Sequence, residues 1–286
     1  MKKIILTGSS SGFGLQAAKT LANAGHTVYA TMRNITGSNA GVAAELKQWA
    51  KDNGKAIEVV ELDVTSNESV KRAIDEISEK SGGIIDALIN NAGLSYLGFG
   101  EALTIEQTEQ LYQVNTIAPE RMMKAVLPFM HQQKDGLIIN ITSVQSRHFI
   151  PVLSTYNGTK AALDAVSVGY HYELKPSGID VVTIQPGAYQ TTDITTKSIQ
   201  AGNIAVEESY SEGMLGFKEA IIRYFDPTPE SRDPQEVADA MLNLVEQPQG
   251  QRPLFTIVGG GPQTANFEKA NSLVQEIVET SMGLRS

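Results

Sequence analysis

Short runs of β-branched and aliphatic residues recur along the chain, separated by longer stretches in which apolar residues return every three to four positions. Alternation of this kind marks βαβ units built on a parallel sheet. The runs predict strands at Lys3–Thr7, Thr27–Thr31, Ile57–Leu62, Ala87–Asn90, Leu137–Thr142, Asp180–Gln185 and Leu254–Ile257. The 3.6-residue periodicity predicts helices near 13–24, 41–53, 67–80, 104–131, 155–175, 234–246 and 264–281. Runs such as Leu137-Ile138-Ile139 and Val181-Val182-Thr183-Ile184 carry no polar face, as expected where helices cover both sides of a sheet. The expectation is an α/β fold: a doubly wound parallel sheet of about seven strands with helices on both faces. No repeat, low-complexity tract or linker interrupts residues 1–286, so a single domain is expected. The stretch 191–229 falls between the sixth strand and the next helix. An insertion of that length is read as a substrate-binding loop or lid.

The first predicted strand ends in Thr7-Gly8-Ser9-Ser10-Ser11-Gly12-Phe13-Gly14 and passes directly into a helix. Glycines let the backbone come close to a pyrophosphate, and a helix N-terminus offers free N–H groups and a positive dipole end. Gly8, Ser10, Gly12, Phe13 and Gly14 are therefore candidate dinucleotide contacts, and the sheet is expected to be Rossmann-type. At the end of the second strand, Met32 stands where an NAD-binding fold places a carboxylate for the ribose 2′-hydroxyl, and Arg33 follows. That favours NADP over NAD; otherwise Arg33 merely caps a surface turn.

Tyr156 and Lys160 lie four residues apart in a helical stretch, which puts them on one face. An ammonium beside a phenol is expected to lower the phenol's pKa, so that the tyrosine exchanges a proton near neutral pH. Ser143, thirteen residues upstream at a strand end, is a candidate for holding the oxygen that reacts. Asn115 sits in a helical pattern four residues before Pro119, which has no N–H, so the Asn115 carbonyl loses its usual helical donor. That carbonyl would then be open to a water, unless the proline only kinks the helix.

Together these motifs resemble the short-chain dehydrogenase/reductase family over nearly the whole chain, from Lys3 to about Ile257. The T-G-x-x-x-G-x-G motif matches Thr7 to Gly14, the D-V pair Asp63-Val64, and N-N-A-G the run Asn90-Asn91-Ala92-Gly93. The catalytic tetrad matches Asn115, Ser143, Tyr156 and Lys160, and P-G-x-x-x-T matches Pro186-Gly187 through Thr191. The glycine spacing is that of the single-domain branch, and a looser likeness points to hydroxysteroid and retinol dehydrogenases. The resemblance implies that Tyr156 is the general acid or base, that Lys160 holds the nicotinamide ribose, and that Ser143 binds the substrate oxygen. It implies that Asp63 and Val64 contact adenine, that Asn91, Ala92 and Gly93 line the coenzyme site, and that Pro186, Gly187 and Thr191 approach the nicotinamide. It also implies a water relay at Asn115 and a homodimer or homotetramer through the helices at 104–131 and 155–175. Ala118, Met122, Ala125, Ala161, Ala165 and Val168 are the small or apolar positions there. The activity implied is hydride transfer between NADP(H) and a ketone, an aldehyde or the corresponding alcohol. The rival class is a non-enzymatic NADP-binding redox sensor, which usually lacks the tyrosine or lysine present here.

Leu94 to Phe99, His148 to Leu153, and Met214, Leu215, Phe217, Ile221, Ile222, Tyr224 and Phe225 of the insertion make an apolar or aromatic carbonyl compound the expected substrate. Arg147 and His148 are candidates for orienting a polar group of it, or are exposed loop residues. The net charge of −9 argues against nucleic acid or an anionic membrane as partner. Zero cysteines exclude thiol catalysis and thiolate metal sites, and four scattered histidines suggest no metal. No apolar run approaches a bilayer span or a signal-peptide core, so a cytoplasmic protein is expected.

Overall fold

The computed structural model describes residues 1–190 and 198–284. Seven parallel strands form a sheet: β1 (Lys3–Thr7), β2 (Thr27–Met32), β3 (Ile57–Glu61), β4 (Ala87–Asn90), β5 (Gly136–Ile141), β6 (Ile179–Pro186) and β7 (Phe255–Val258). Their order is β3-β2-β1-β4-β5-β6-β7. All seven predicted strands are present, with ends moved by no more than one residue. β1 pairs with β2 on one side and β4 on the other, Ile4 facing Val28 and Ala87. The order reverses there, and a reversal opens a crevice at the carboxyl ends of the strands.

Both faces of the sheet are covered, which explains the apolar strands. On one face lie α1 (Gly12–Asn23), α2 (Ala40–Asp52) and α9 (Gln235–Glu246). On the other lie α3 (Asn67–Ser81), α5 (Ala118–Gln133) and α6 (Ser154–Leu174). Successive strand residues point to opposite faces. Ile4 and Leu6 thus join Ala17 and Leu21 in one core, while Ile5 joins Ile74 and Val126 in the other. Each fully buried Ile or Leu contributes roughly 1.5–3 kcal/mol.

The helix predicted over 104–131 is broken into α4 (Ile105–Tyr112), a π-helical turn (Gln113–Ile117) and α5. A capping box starts α4: the Thr104 hydroxyl accepts from the Gln107 amide, and the Gln107 side chain accepts from the Thr104 amide. Pro119 cannot supply a bond to the carbonyl four residues back, and the chain widens ahead of it, with Ala118 N–H reaching back to Gln113 O. After the sixth strand come α7 (Ile204–Glu208) and α8 (Glu212–Tyr224), and α10 (Thr264–Ser281) closes the chain. Met214, Leu215 and Ile221 pack on Phe99, Ala102 and Val152, and Tyr210 stacks on Phe99 with ring centroids 3.8 Å apart. Of the six positions expected to face a partner subunit, Ala118, Met122 and Val168 are buried within the chain itself. Among the described residues no helix is long and apolar enough to cross a membrane.

Candidate active site

The β1–α1 turn is locked onto the end of β4 by Thr7. Its hydroxyl accepts the amides of Asn91 and Ala92, each at 3.0 Å, and Asn91 Nδ2 donates to the carbonyls of Thr7 (2.9 Å) and Gly8 (3.1 Å). Asn90 donates to Asn140 Oδ1 at 2.8 Å, so the two asparagines brace the middle of the sheet. Two glycines are required by space. A Cβ on Gly8, whose φ is +70°, would lie 2.7 Å from Ala92 Cα, and one on Gly14 only 2.2 Å from Gly8 O. The bare backbone between them, with Ser10, Gly12 and Phe13, lines a cavity of about 640 Å³ at the carboxyl ends of the strands. Phe13 meets Tyr189 edge-on at 5.2 Å, and the Tyr189 hydroxyl donates to Glu236 at 3.0 Å.

At one end of this cavity, Met32 is buried in the core, whereas Arg33 is exposed along the wall. The turn after β2 carries no acid of its own, yet the fold brings one from β3. Glu61 accepts the amides of Asn34 (2.6 Å) and Ile35 (2.7 Å). It is absent from the cavity wall, where Asn34, Ser38 and Asn39 appear instead. Glu61 escaped the sequence reading because only strand pairing brings β3 beside that turn. Asp63 and Val64 follow β3 and also line the cavity. Burial works to raise the Asp63 pKa, but the hydroxyl and amide of Thr65 and the charges of Arg33 and Arg121 outweigh it, and the net shift is downward.

At the other end, Ser143, Tyr156 and Lys160 share the same wall. Ser143 follows β5, and its hydroxyl accepts the Gln145 amide at 3.1 Å and donates to Pro186 O at 3.4 Å. Tyr156 and Lys160 occupy one face of α6, with Nζ 5.8 Å from the phenol ring centroid and donating to Ile141 O at 2.9 Å. The expected acidification of the phenol is not found in the free chain. Loss of hydration pushes Tyr156 up to about 12, opposed only by the neighbouring Ser143 hydroxyl. The same loss pulls Lys160 down to about 8. The ring is half-buried along the cavity wall, and the amine four residues on does nothing to offset the desolvation of the phenol.

Asn115 does not line the cavity; it braces one of its walls. Its Oδ1 accepts the Leu94 amide at 2.8 Å, and its Nδ2 donates to Leu94 O (2.8 Å) and to Thr159 Oγ1 (3.1 Å). A Cβ on Gly93 would stand 3.4 Å from Asn115 Oδ1 and 3.8 Å from Lys160 Nζ, so the glycine keeps that corner open. Pro186 and Gly187 border the cavity where β6 ends, and Gly187 is also required by space, since its Cβ would fall 1.9 Å from Gly259 O. Thr191 lies outside the described residues.

The substrate-side loops divide. Leu94, Ser95, Leu97, Val144 and Leu153 face the cavity, whereas Tyr96 and Phe99 turn into small cores of their own. Of the seven apolar residues singled out in the insertion, Phe225 reaches the wall; Phe217 and Tyr224 are exposed. The insertion is tied to the β4 loop, Ile199 N donating to Ser95 O at 3.0 Å, with the hydroxyls of Ser95 and Ser198 2.7 Å apart. Val152 adopts φ +61°, a left-handed conformation costly for a β-branched residue, two positions before α6. Neither Arg147 nor His148 lines the cavity. Arg147 is turned away to Asp164, and His148 is exposed, with its ring 5.9 Å from that of Phe267.

Comparison with known proteins agrees with this geometry. The family model for short chain dehydrogenases matches residues 2–202. The uncharacterised oxidoreductase YusZ of Bacillus subtilis is 34% identical over 252 residues, covering 85% of this chain and 84% of that protein. A 3-ketodihydrosphingosine reductase of Bacteroides thetaiotaomicron is 33% identical over 214 residues, covering 74% and 72%. A short-chain dehydrogenase from Sphingobium yanoikuyae, solved in complex with NADPH, superimposes with a TM-score of 0.74 at 28% identity, covering 98% of this chain and 95% of that one.

Proposed function

The chain belongs to the short-chain dehydrogenase family of oxidoreductases, and from that premise we propose that it transfers hydride between NADP(H) and an apolar ketone or aldehyde or the corresponding alcohol. The observation that carries this reading is the meeting of Ser143, Tyr156 and Lys160 with the glycine-rich turn along one cavity. The cavity fits a dinucleotide because its wall at Gly8, Ser10, Ser11, Gly12 and Phe13 is a turn folded so tightly that neither Gly8 nor Gly14 has room for a Cβ. Gly8, Ser10, Gly12, Phe13 and Gly14 would hold the pyrophosphate, and Asp63 and Val64 the adenine. Asn91, Ala92, Gly93, Pro186 and Gly187 would border the nicotinamide half. Arg33, with no carboxylate in the turn after β2, supports NADP over NAD. When bound, the reduced nicotinamide supplies the hydride.

In the reductase direction, the chain's own residues handle the oxygen. Ser143 Oγ–H and Tyr156 O–H donate to the carbonyl oxygen of the substrate and hold the carbon in place. As the π pair moves onto that oxygen, the two donors stabilise the developing charge, and Tyr156 passes its proton to it. A phenol raised to about 12 is protonated at neutral pH, the form that reduction requires and that oxidation must first remove. Lys160, still largely an ammonium below pH 8, returns positive charge to the phenolate left behind. Asn115 keeps Leu94, and with it the substrate wall, in place. Residues 1–286 act as one catalytic domain, with 191–229 as a lid over the apolar end.

The test is reduced-nicotinamide absorbance with a panel of hydrophobic ketones and aldehydes, using Tyr156→Phe as control. Turnover by the parent that is lost in the variant supports the enzyme. Tight NADPH binding with no turnover on any carbonyl would support a regulator instead.

A further inference from the structure

Behind the cavity wall lies a buried polar cluster with no part in the steps above. Asp164 stands one turn beyond Lys160 on α6 and is 1% exposed. Its Oδ2 accepts from Arg147 Nη1 at 2.9 Å and from Gln185 Nε2 at 2.7 Å. Gln185 is the residue before Pro186, and its Oε1 accepts from Asn271 Nδ2 of α10 at 2.6 Å. Ser146 completes the cluster: its hydroxyl donates to Ser143 O at 2.7 Å and accepts from Gln185 Nε2 at 3.3 Å. One carboxylate therefore joins the turn that carries Ser143, the helix that carries Tyr156 and Lys160, and the strand that ends at Pro186 and Gly187. The guanidinium of Arg147 is itself fixed, lying over the Phe255 ring at 5.3 Å. Burying such a pair away from water is expensive, and apolar residues of similar size would serve stability as well or better.

We propose that Asp164 is a positioning residue of the reaction: clamped by Arg147 and Gln185, it holds the Ser143 turn in register with the Tyr156–Lys160 helix and serves as the counter-charge of Lys160. The proposal rests on the reductase reading. Desolvation lowers Lys160 to about 8, and Asp164 is the charge that acts against this. Burial raises Asp164 in turn, opposed first by Arg147 and then by the hydroxyls of Ser146 and Thr142 and the Gln185 amide. The facing groups from β6 and α10, Gln185 and Asn271, are neutral, and Tyr156 is an un-ionised phenol. The charges in play are thus Arg147, Asp164 and Lys160.

Asp164→Asn keeps the shape and removes the charge, so the alkaline limb of kcat/KM, which reports the free enzyme, is expected to move to lower pH. A fall of about one unit from about 8 leaves roughly a tenth of Lys160 protonated at pH 8 instead of half, a loss of about fivefold in kcat/KM. Asp164→Glu keeps the charge and is expected to restore the limb. Gln185→Leu leaves both charges and cuts the arm to the Ser146 turn, so kcat is expected to fall at least about fivefold with the limb unmoved. Asp164→Asn with the parent's limb, or the same limb shift in Asp164→Asn and Asp164→Glu, overturns the counter-charge. Parent-level kcat in folded Gln185→Leu overturns the positioning, whether or not Asp164→Asn folds. A parent without turnover overturns the reductase reading instead, so the two failures are distinct.

Discussion

Replacing Asn115 by alanine should damage both stability and the substrate wall, by amounts that follow from its contacts. The side chain makes three hydrogen bonds, two to the backbone of Leu94 and one to Thr159, between 2.8 and 3.1 Å. At 1% exposure, water cannot reach in to replace them without disturbing the π-helical turn. A net worth of about 1 kcal/mol per neutral bond gives about 3 kcal/mol for the three. At roughly 2–4 °C per kcal/mol for a large domain, the melting temperature should fall by about 6–12 °C. Leu94 also faces the cavity, so KM for the carbonyl substrate should rise while the Kd of NADPH changes less. Calorimetry and steady-state kinetics on the same preparation measure both effects. A melting temperature within about 2 °C of the parent, with KM unchanged, would show that Asn115 does not clamp this wall.

Two further substitutions probe the coenzyme end. In Gly14→Ala the new Cβ falls 2.2 Å from Gly8 O and 2.5 Å from Asn91 Nδ2, the amide that ties the turn to β4. The turn must open, at a cost of about 1–3 kcal/mol, and titration calorimetry should show NADPH binding weakened at least about tenfold; parent-like binding would refute the cradle. Arg33→Ala should raise KM for NADPH by roughly ten- to a hundredfold, the worth of one charged hydrogen bond, while KM for NADH stays put. An equal change for both coenzymes would remove Arg33 from 2′-phosphate recognition.

What was legible in the sequence is what local chemistry dictates. Uniformly apolar runs such as Ile138–Ile139 locate strands covered on both faces, and the unbroken passage from Thr7 to Gly14 locates the phosphate turn. The four-residue spacing of Tyr156 and Lys160 puts them on one helix face, where they are found. Properties set by distant neighbours were hidden. Glu61 reaches the turn after Arg33 only through strand pairing, and Arg147 is drawn from the cavity by an aspartate seventeen residues away. The helix expected over 104–131 could not show its π-helical turn, although Pro119 marked the place. The ionisation of Tyr156 is hidden for the same reason: the four-residue spacing to an amine is visible in sequence, whereas the loss of hydration that raises the phenol belongs to the folded chain.

The most direct measurement is single-turnover reduction of a hydrophobic ketone by NADPH in the parent and in Tyr156→Phe, with coenzyme affinity determined in parallel. Proton delivery from Tyr156 predicts a rate lower by about 10²–10⁴-fold in the variant, with the Kd of NADPH within about threefold of the parent. A variant that turns over within about tenfold of the parent while binding NADPH normally would contradict it, and the proton would have to come from another group.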